Sequence, residues 1–380
     1  MTQNLLESLI ALPSVTPGDA GCIDLLRGLL SREGFQTQIF ESNGLLSLYA
    51  YHGDGVPNIC LSGHVDVVPP GPLDAWDTDP FHPTVKDGVL YGRGAADMKS
   101  GVAAMVSAAV EFVRQNPGHP GTVSLLFTSD EEDSSRHGAP YCLAHIDSGP
   151  TAALVGEPTS INHLGDEFKV GRRGSLNGFL TFKGRQGHTA YAHLARNPVH
   201  EALPFLAELA AHHWDAGHGP FPPTTLQIAN INAGVGASNV TPGELTVQFN
   251  VRNNPATPLE EIVETVQELL KKHGLDPSIA WDDSARPFLT DNAHLQEALV
   301  RSISEVVGKP GHPSTSGGSS DARFFALAGI PVIEFGPLNA TIHAANENIP
   351  VADLELLTSV YHRFLGNYLE TAVVSAGPPC

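Results

Sequence analysis

Leu61-Ser62-Gly63-His64-Val65-Asp66 sets a histidine and a carboxylate close together just past a short apolar run, Ile59-Cys60-Leu61. Downstream, Tyr91-Gly92-Arg93-Gly94-Ala95-Ala96-Asp97-Met98-Lys99 places Asp97 at a Gly-rich bend, immediately before an Ala-rich segment (102–113) that reads as helix. Imidazole nitrogen and carboxylate oxygen are the donors that zinc and similar divalent ions prefer. The first stretch reads as a buried strand ending in a candidate ligand. The rest of the chain reads as a scaffold that brings further ligands to His64 and Asp97.

Outward from that strand, residues 1–173 alternate apolar strand-like runs with helical stretches. Residues 5–12 and 22–32 read as amphipathic helices, and 59–61, 123–127 and 152–155 as buried strands. The texture returns late, where 330–335 is a strand followed by a loop and a final helix near 351–369. Such alternation predicts an α/β fold, a sheet flanked by helices. Between 174 and 286 the pattern changes. Residues 175–183, 226–232, 244–251 and 278–281 read as strands. One helix opens at Asn197-Pro198 and runs to about His213. A second is capped by Thr257-Pro258 and closed by Lys271-Lys272-His273 and Gly274. The order β-α-β-β-α-β is the ferredoxin-like split motif. The expectation is a discontinuous α/β domain (1–173 and 287–380) with a small α+β domain (174–286) inserted in it.

At 380 residues the chain exceeds one compact core, and 41% hydrophobic residues supply enough apolar surface for two. A formal net charge of −20 argues against a nucleic-acid partner, which needs a basic footprint. No run of about twenty apolar residues offers a membrane span, and Met1-Thr2-Gln3-Asn4 lacks the basic-then-apolar pattern of a secretory signal. Cys22, Cys60, Cys142 and Cys380 form no C-x-x-C pair, so reduced structural thiols in a cytoplasmic protein are expected.

Candidate ligands fall where apolar runs end. His64 follows 59–61, Glu131-Glu132 follow 123–127, Glu157 follows 152–155, and His343 follows 332–335 after a short loop. In open α/β sheets ligands bind beyond the carboxyl ends of the strands, so these side chains converge if the strands are parallel neighbours. Asp97 could then bridge two ions. A single histidine among the 18 present carries little weight; four strand ends together with a Gly-rich bend carry more. Competing motifs fail. Gly92-Arg93-Gly94-Ala95-Ala96-Asp97 lacks the final glycine of a dinucleotide fingerprint, and no good strand leads into it. Gly317-Gly318-Ser319-Ser320-Asp321 is not a nucleophile elbow. No H-E-x-x-H pair or phosphate-binding loop occurs. Glu131 and Glu132 as a glycosidase pair is disfavoured, because adjacent side chains in an extended loop point apart. That divergence suits one carboxylate on a metal and the other facing substrate.

The runs Ser62-Gly63-His64-Val65-Asp66-Val67-Val68-Pro69, Gly92-Arg93-Gly94-Ala95-Ala96-Asp97-Met98-Lys99, Ser129-Asp130-Glu131-Glu132 and Gly156-Glu157-Pro158 resemble those of the co-catalytic dizinc amidohydrolases of the aminoacylase/carboxypeptidase family. The resemblance covers nearly the whole chain. It implies a zinc-exopeptidase-like catalytic domain carrying an inserted dimerisation domain, and two zinc ions per subunit, with cobalt(II) acceptable at one site. By position, Asp97 would bridge the ions, His64 and Glu157 would complete one shell, and Glu132 and His343 the other. Asp66 would orient His64 through its second ring nitrogen. Glu131 would be the general base. His188, in Gly187-His188, would donate to the oxyanion from a partner subunit of a homodimer. Ala192 stands where proline is expected before His193, and Ser319 where threonine is usual.

Within the family, residues 169–176, 186–198 and 334–343 point to the branch that removes succinate from N-succinyl-LL-2,6-diaminopimelate; acetylornithine deacetylases and dipeptidases are the nearest alternatives. So anionic a small-molecule substrate needs local cations on an acidic protein. Arg172, Arg173 and Arg252 are the candidates, and the resemblance favours Arg172 and Arg252, with Ser175, Asn239, Ser319 and Asn339 as polar contacts. Gly317-Gly318 suits a backbone packed close to a ligand, or a plain tight turn.

Overall fold

A computed structural model of the chain describes residues 1–133 and 135–375; Cys380 and the tail from Ala376 lie outside them. The chain divides into two compact units. The larger comprises Met1–Gly171, Leu289–Ser314 and the chain from Ser320 onward, the smaller Arg172–Phe288 and Thr315–Ser319.

The larger unit begins with helices α1 (Thr2–Ile10) and α2 (Cys22–Arg32), then the hairpin of β1 (Gln36–Ser42) and β2 (Leu45–Gly53). Next come β3 (Asn58–His64), α3 (Lys99–Gln115), β4 (Thr122–Thr128), β5 (Ala152–Val155) and β6 (Glu167–Lys169). The smaller unit supplies β7 (Ser175–Lys183), α4 (Pro198–Ala211), β8 (Thr225–Ala233), β9 (Glu244–Arg252), α5 (Leu259–Lys272) and β10 (Ser278–Ala285). The chain then returns through α6 (Ala293–Val307), β11 (His312–Ser314), β12 (Val332–Glu334) and α7 (Val351–Ser375).

Among the described residues the large sheet has eight strands in the order β1-β2-β4-β3-β5-β12-β6-β11. It is mixed: β2 runs antiparallel to β4, while β3 is parallel to both β4 and β5, and β12 is parallel to β5. The four central strands therefore point the same way. Their registers keep the ends level, with His64 opposite Thr128, Ser62 opposite Val155, and Val155 opposite Glu334. Strands buried on both faces read as continuous apolar runs, and β3, β4 and β5 are buried along their whole length. α3 is apolar nearly all round and correspondingly buried; with α1, α6 and α7 it joins a core that includes Leu6, Leu9, Leu299, Tyr361 and Leu365.

In the smaller unit the sheet order is β8-β9-β7-β10, every pairing antiparallel. This is the ferredoxin-like arrangement. Leu180, Val247 and Phe249 bury one sheet face against Phe205 and Leu209 of α4 and Ile262 and Val266 of α5. Asn197 caps α4, its side chain accepting the amide N–H of Val199 at 3.0 Å. The cap expected at Thr257 is absent: Pro258 is the N-cap residue and makes no side-chain cap bond. The Thr257 hydroxyl instead donates to Asp215 at 2.6 Å, a proton that a helix N-terminus, whose free groups are N–H donors, could not accept.

Two boundary differences bear on the site. Arg172, Arg173 and Thr315–Ser319 belong to the smaller unit. Thr315 Oγ1 donates to the carbonyl of Pro220 at 2.9 Å and Arg172 Nη1 to that of Ser316 at 3.3 Å, which ties the late segment to the earlier one. Cys22, Cys60 and Cys142 are free and buried, and no helix among the described residues is long and apolar enough to cross a membrane.

Candidate metal centre

His64 is the last residue of β3. Glu131 and Glu132 begin the turn after β4, Glu157 lies just past β5, and His343 follows β12. Because the four strands are parallel neighbours with level ends, these side chains emerge at one edge of the sheet, and Asp97 reaches them from the Gly-rich turn before α3. His64 Nε2 lies 3.3 Å from Asp97 Oδ1, 3.9 Å from Glu157 Oε1 and 4.0 Å from Glu131 Oε2. His343 Nε2 lies 3.4 Å from Asp97 Oδ2 and 3.1 Å from Glu132 Oε1. One carboxylate oxygen of Asp97 thus faces each histidine. Glu131 and Glu132 diverge as adjacent residues do, Glu131 toward His64 and Glu132 toward His343.

So many carboxylates in so little water perturb one another. Burial opposes charge on His64, but Asp97, Asp66, Glu131 and Glu157 outweigh it and hold the imidazole well above its ordinary value. Contacts with Asp97 and Glu132 push the half-exposed His343 up to about 10. Burial also works against ionised Asp97, yet the two histidines hold its carboxyl below the usual range. Glu131 goes the other way, raised by burial and then by Glu157 beside it.

The residues fit a divalent cation. His64 Nε2 and Asp97 Oδ1 are buried and make no hydrogen bond among the described residues, although buried polar atoms almost always find a partner. Atoms bound about 2.0–2.1 Å from a tetrahedral zinc stand roughly 3.3 Å apart, close to the separations Asp97 makes with both histidines. His64, Asp97 and Glu132 form one group whose ligand atoms lie within 4.8 Å of one another, and His64, Glu131 and Glu157 a second.

Asp66 acts differently from expectation. His64 Nδ1 meets the main-chain oxygen of Asp66 at 2.8 Å, whereas the Asp66 carboxylate stands 3.6 Å away. That carboxylate accepts the amide N–H of Glu131 at 3.3 Å and of Glu132 at 3.1 Å. It therefore orients the two glutamates, and the main chain orients the histidine.

The remaining sequence candidates, Asn339 apart, lie in the smaller unit. His188 is exposed and accepts the amide N–H of Ala190 on Nδ1 at 3.1 Å. In the neutral ring this leaves the proton on Nε2, which is then the donor. Arg172 is buried beneath Gly317, where a Cβ would collide with its guanidinium and φ is +101°; a Cβ at the neighbouring Gly318 would meet only open space. Ser175 Oγ accepts from Asn250 Nδ2 at 3.0 Å, and the Asn239 carbonyl accepts the amide N–H of Thr189. Burial and the neighbouring Arg173 lower the pKa of Arg252, so two guanidiniums share one locale. Ser319 is exposed. In the larger unit the Asn339 amide N–H donates to the carbonyl of Ser160 at 3.0 Å.

Sequence reading passed over two buried carboxylates of the larger unit. Asp321 accepts from Thr128 Oγ1 at 3.1 Å, and burial pushes it up to about 6. Glu347 accepts from Arg93 and from the Gly-rich turn itself. The only sequence signal for Glu347 is an acidic residue shortly after His343.

A mixed sheet with histidines and carboxylates gathered past its central strands defines a metallohydrolase, and the chain belongs to peptidase family M20/M25/M40, whose model matches residues 60–367. Its relatives include the succinyl-diaminopimelate desuccinylase of Bordetella petrii, 50% identical over 96% of this chain and 97% of the relative. Among solved structures it is similar to an M20 metallo-carboxypeptidase from Sulfolobus solfataricus (TM-score 0.82, 18% identity, 97% and 99% of the two chains). It is also similar to a dinuclear metal-binding M20 peptidase from Bacillus subtilis (TM-score 0.71, 16% identity, 97% and 98%). At those identities the two structures establish the fold. The protein is a metal-dependent hydrolase of a small-molecule substrate.

Proposed function

We propose that the chain cleaves the amide of N-succinyl-LL-2,6-diaminopimelate with water, giving succinate and LL-2,6-diaminopimelate, as a cytoplasmic step of lysine and diaminopimelate synthesis. The observation that carries this reading is Asp97 turning one oxygen to His64 and the other to His343, in a chain half identical to a desuccinylase. His64, Asp97, Glu132, Glu157 and His343 would hold two zinc ions, His64 and Glu157 serving one, Glu132 and His343 the other, and Asp97 both; cobalt(II) would be acceptable at one site. When bound, such a pair supplies Lewis acidity toward the amide carbonyl and a water that ionises near neutral pH.

The chain's own groups do the rest. Glu131 Oε2 takes a proton from the attacking water and returns it to the leaving amine nitrogen as the C–N bond breaks. Asp66 fixes Glu131 and Glu132 through their amide N–H groups, so the base and its neighbour keep separate directions. His188 donates from Nε2 to the developing oxyanion, reaching in from the partner subunit of a homodimer built on the inserted domain. Arg172 and Arg252 receive substrate carboxylates, with Ser175, Asn239, Ser319 and Asn339 as polar contacts.

The test is metal analysis paired with hydrolysis assays. Two equivalents of metal and turnover of the succinylated substrate are expected. Cleavage of N-acetylornithine or dipeptides, with the succinylated substrate untouched, would overturn the assignment.

A further inference from the structure

Glu347 is fully buried, and its carboxylate is spent almost entirely on one turn. Oε1 accepts the amide N–H of Ala96 and of Asp97, each at 2.8 Å. Oε2 accepts that of Gly94 at 2.9 Å and Nη1 of Arg93 at 2.7 Å. The Glu347 main-chain oxygen takes the Gly92 amide N–H at 3.0 Å, and Asn348–Pro350 then pairs antiparallel with Val89–Tyr91. The turn is closed from its other side as well. At Gly94 (φ +85°) a Cβ would collide with the side chains of Val67 and Lys99, and Lys99 Nζ donates to the carbonyls of Leu9 and Leu12, both at 2.8 Å. Just upstream of Glu347, His343 and Asn346 hold φ of +58° and +60°. L-residues avoid that region unless their surroundings enforce it. Asn346 is anchored by the Asp77 amide N–H, which donates to its Oδ1 at 2.8 Å.

We propose that Glu347 is a positioning residue of the metal centre: its carboxylate locks the Arg93–Asp97 turn to the segment carrying His343, so that Asp97 keeps one oxygen on each histidine. The inference rests on the dinuclear reading above. Glu347 touches no reacting atom; it acts through Asp97. A carboxylate is required because it only accepts, and four donors converge on it. Glutamine has the same shape but turns an NH2 group toward N–H donors, leaving buried groups unpaired.

The experiment titrates cobalt(II) into metal-free protein, reading d–d absorption and bound metal, for the parent and Glu347→Gln. The melting temperature of each metal-free protein and its kcat and KM are measured alongside. The parent should take up two equivalents. Glu347→Gln should bind at least one of them roughly 10–100-fold more weakly, with the metal-free melting temperature nearly unchanged and kcat falling while KM holds. If Glu347→Gln does not fold, Arg93→Met, which withdraws the one side-chain donor to Glu347, is read the same way with a smaller loss. Equal affinity for both equivalents in variant and parent overturns the proposal and leaves the dinuclear reading intact. So does metal loss that merely follows a loss of metal-free stability. Fewer than two equivalents on the parent removes the reading beneath the proposal, and the proposal with it.

Discussion

Glu131 and Glu132 are adjacent in the chain yet stand over different histidines, 4.0 Å from His64 and 3.1 Å from His343 respectively. The Asp66 carboxylate, bonded to both amides, keeps them apart. If Glu131 is the base, Glu131→Ala should keep two metal ions and lose roughly 10²–10⁴ in kcat; near-parental turnover would remove that role. His188→Ala should lower kcat by about 10²–10³, the cost of one oxyanion donor, without changing bound metal, and a fall in metal content instead would make His188 a ligand. Metal-type side chains at strand ends are readable because residue type and apolar run are both written in the sequence. Their partners are less so. The oxygen that fixes His64 is a main-chain carbonyl, and three of the four donors on Glu347 are main-chain amides. Any residue could provide those groups, so no residue code announces them.

At the scale of elements, the parallel neighbours β4-β3-β5-β12 turn four separate stretches of sequence into one edge. Apolar runs and ferredoxin-like order are legible because burial and turn chemistry impose periodicity. Helix starts were less so: Thr257 reads as a cap but bonds Asp215. That carboxylate also accepts from the amides of Gly217 and Thr224 and from Asn254 Nδ2, stitching the loop after α4 to the start of α5. Burial alone would raise its pKa, but bonds from Thr224, Thr257, Gly217 and Asn254 more than offset this and hold it below the ordinary range. Stability from such a group is full above the unfolded aspartate value, about 3.9, and is lost as pH falls through the depressed folded value. Asp215→Ala removes an acceptor shared by several partly exposed donors and should cost about 1–2 kcal/mol at pH 7. The gap between parent and variant, followed by denaturant unfolding, should narrow below about pH 4; a gap independent of pH would rule out the ionised form as its source.

Across the whole molecule, a net charge of −20 coexists with a cluster of five carboxylates, Asp66, Asp97, Glu131, Glu132 and Glu157, around His64 and His343. Metal ions offset that local repulsion. At a thousandfold excess over Kd each bound ion contributes about 4 kcal/mol to the folded state, so stripping the protein should lower its melting temperature by roughly 10 °C or more. An unchanged melting curve would mean that the cluster does not hold metal. A variant kept monomeric by charged substitutions on the inserted domain should retain its metal but lose most turnover, since His188 would then lack a site to reach; a fully active monomer would end that part of the account. The central claim, that the acidic edge of the sheet is a two-metal amide hydrolase, is tested most directly by one titration. Zinc is added back to chelator-stripped protein while succinate release from N-succinyl-LL-2,6-diaminopimelate is followed. Turnover should be absent at the start and should plateau at two equivalents per chain; undiminished turnover by the stripped protein would contradict the account.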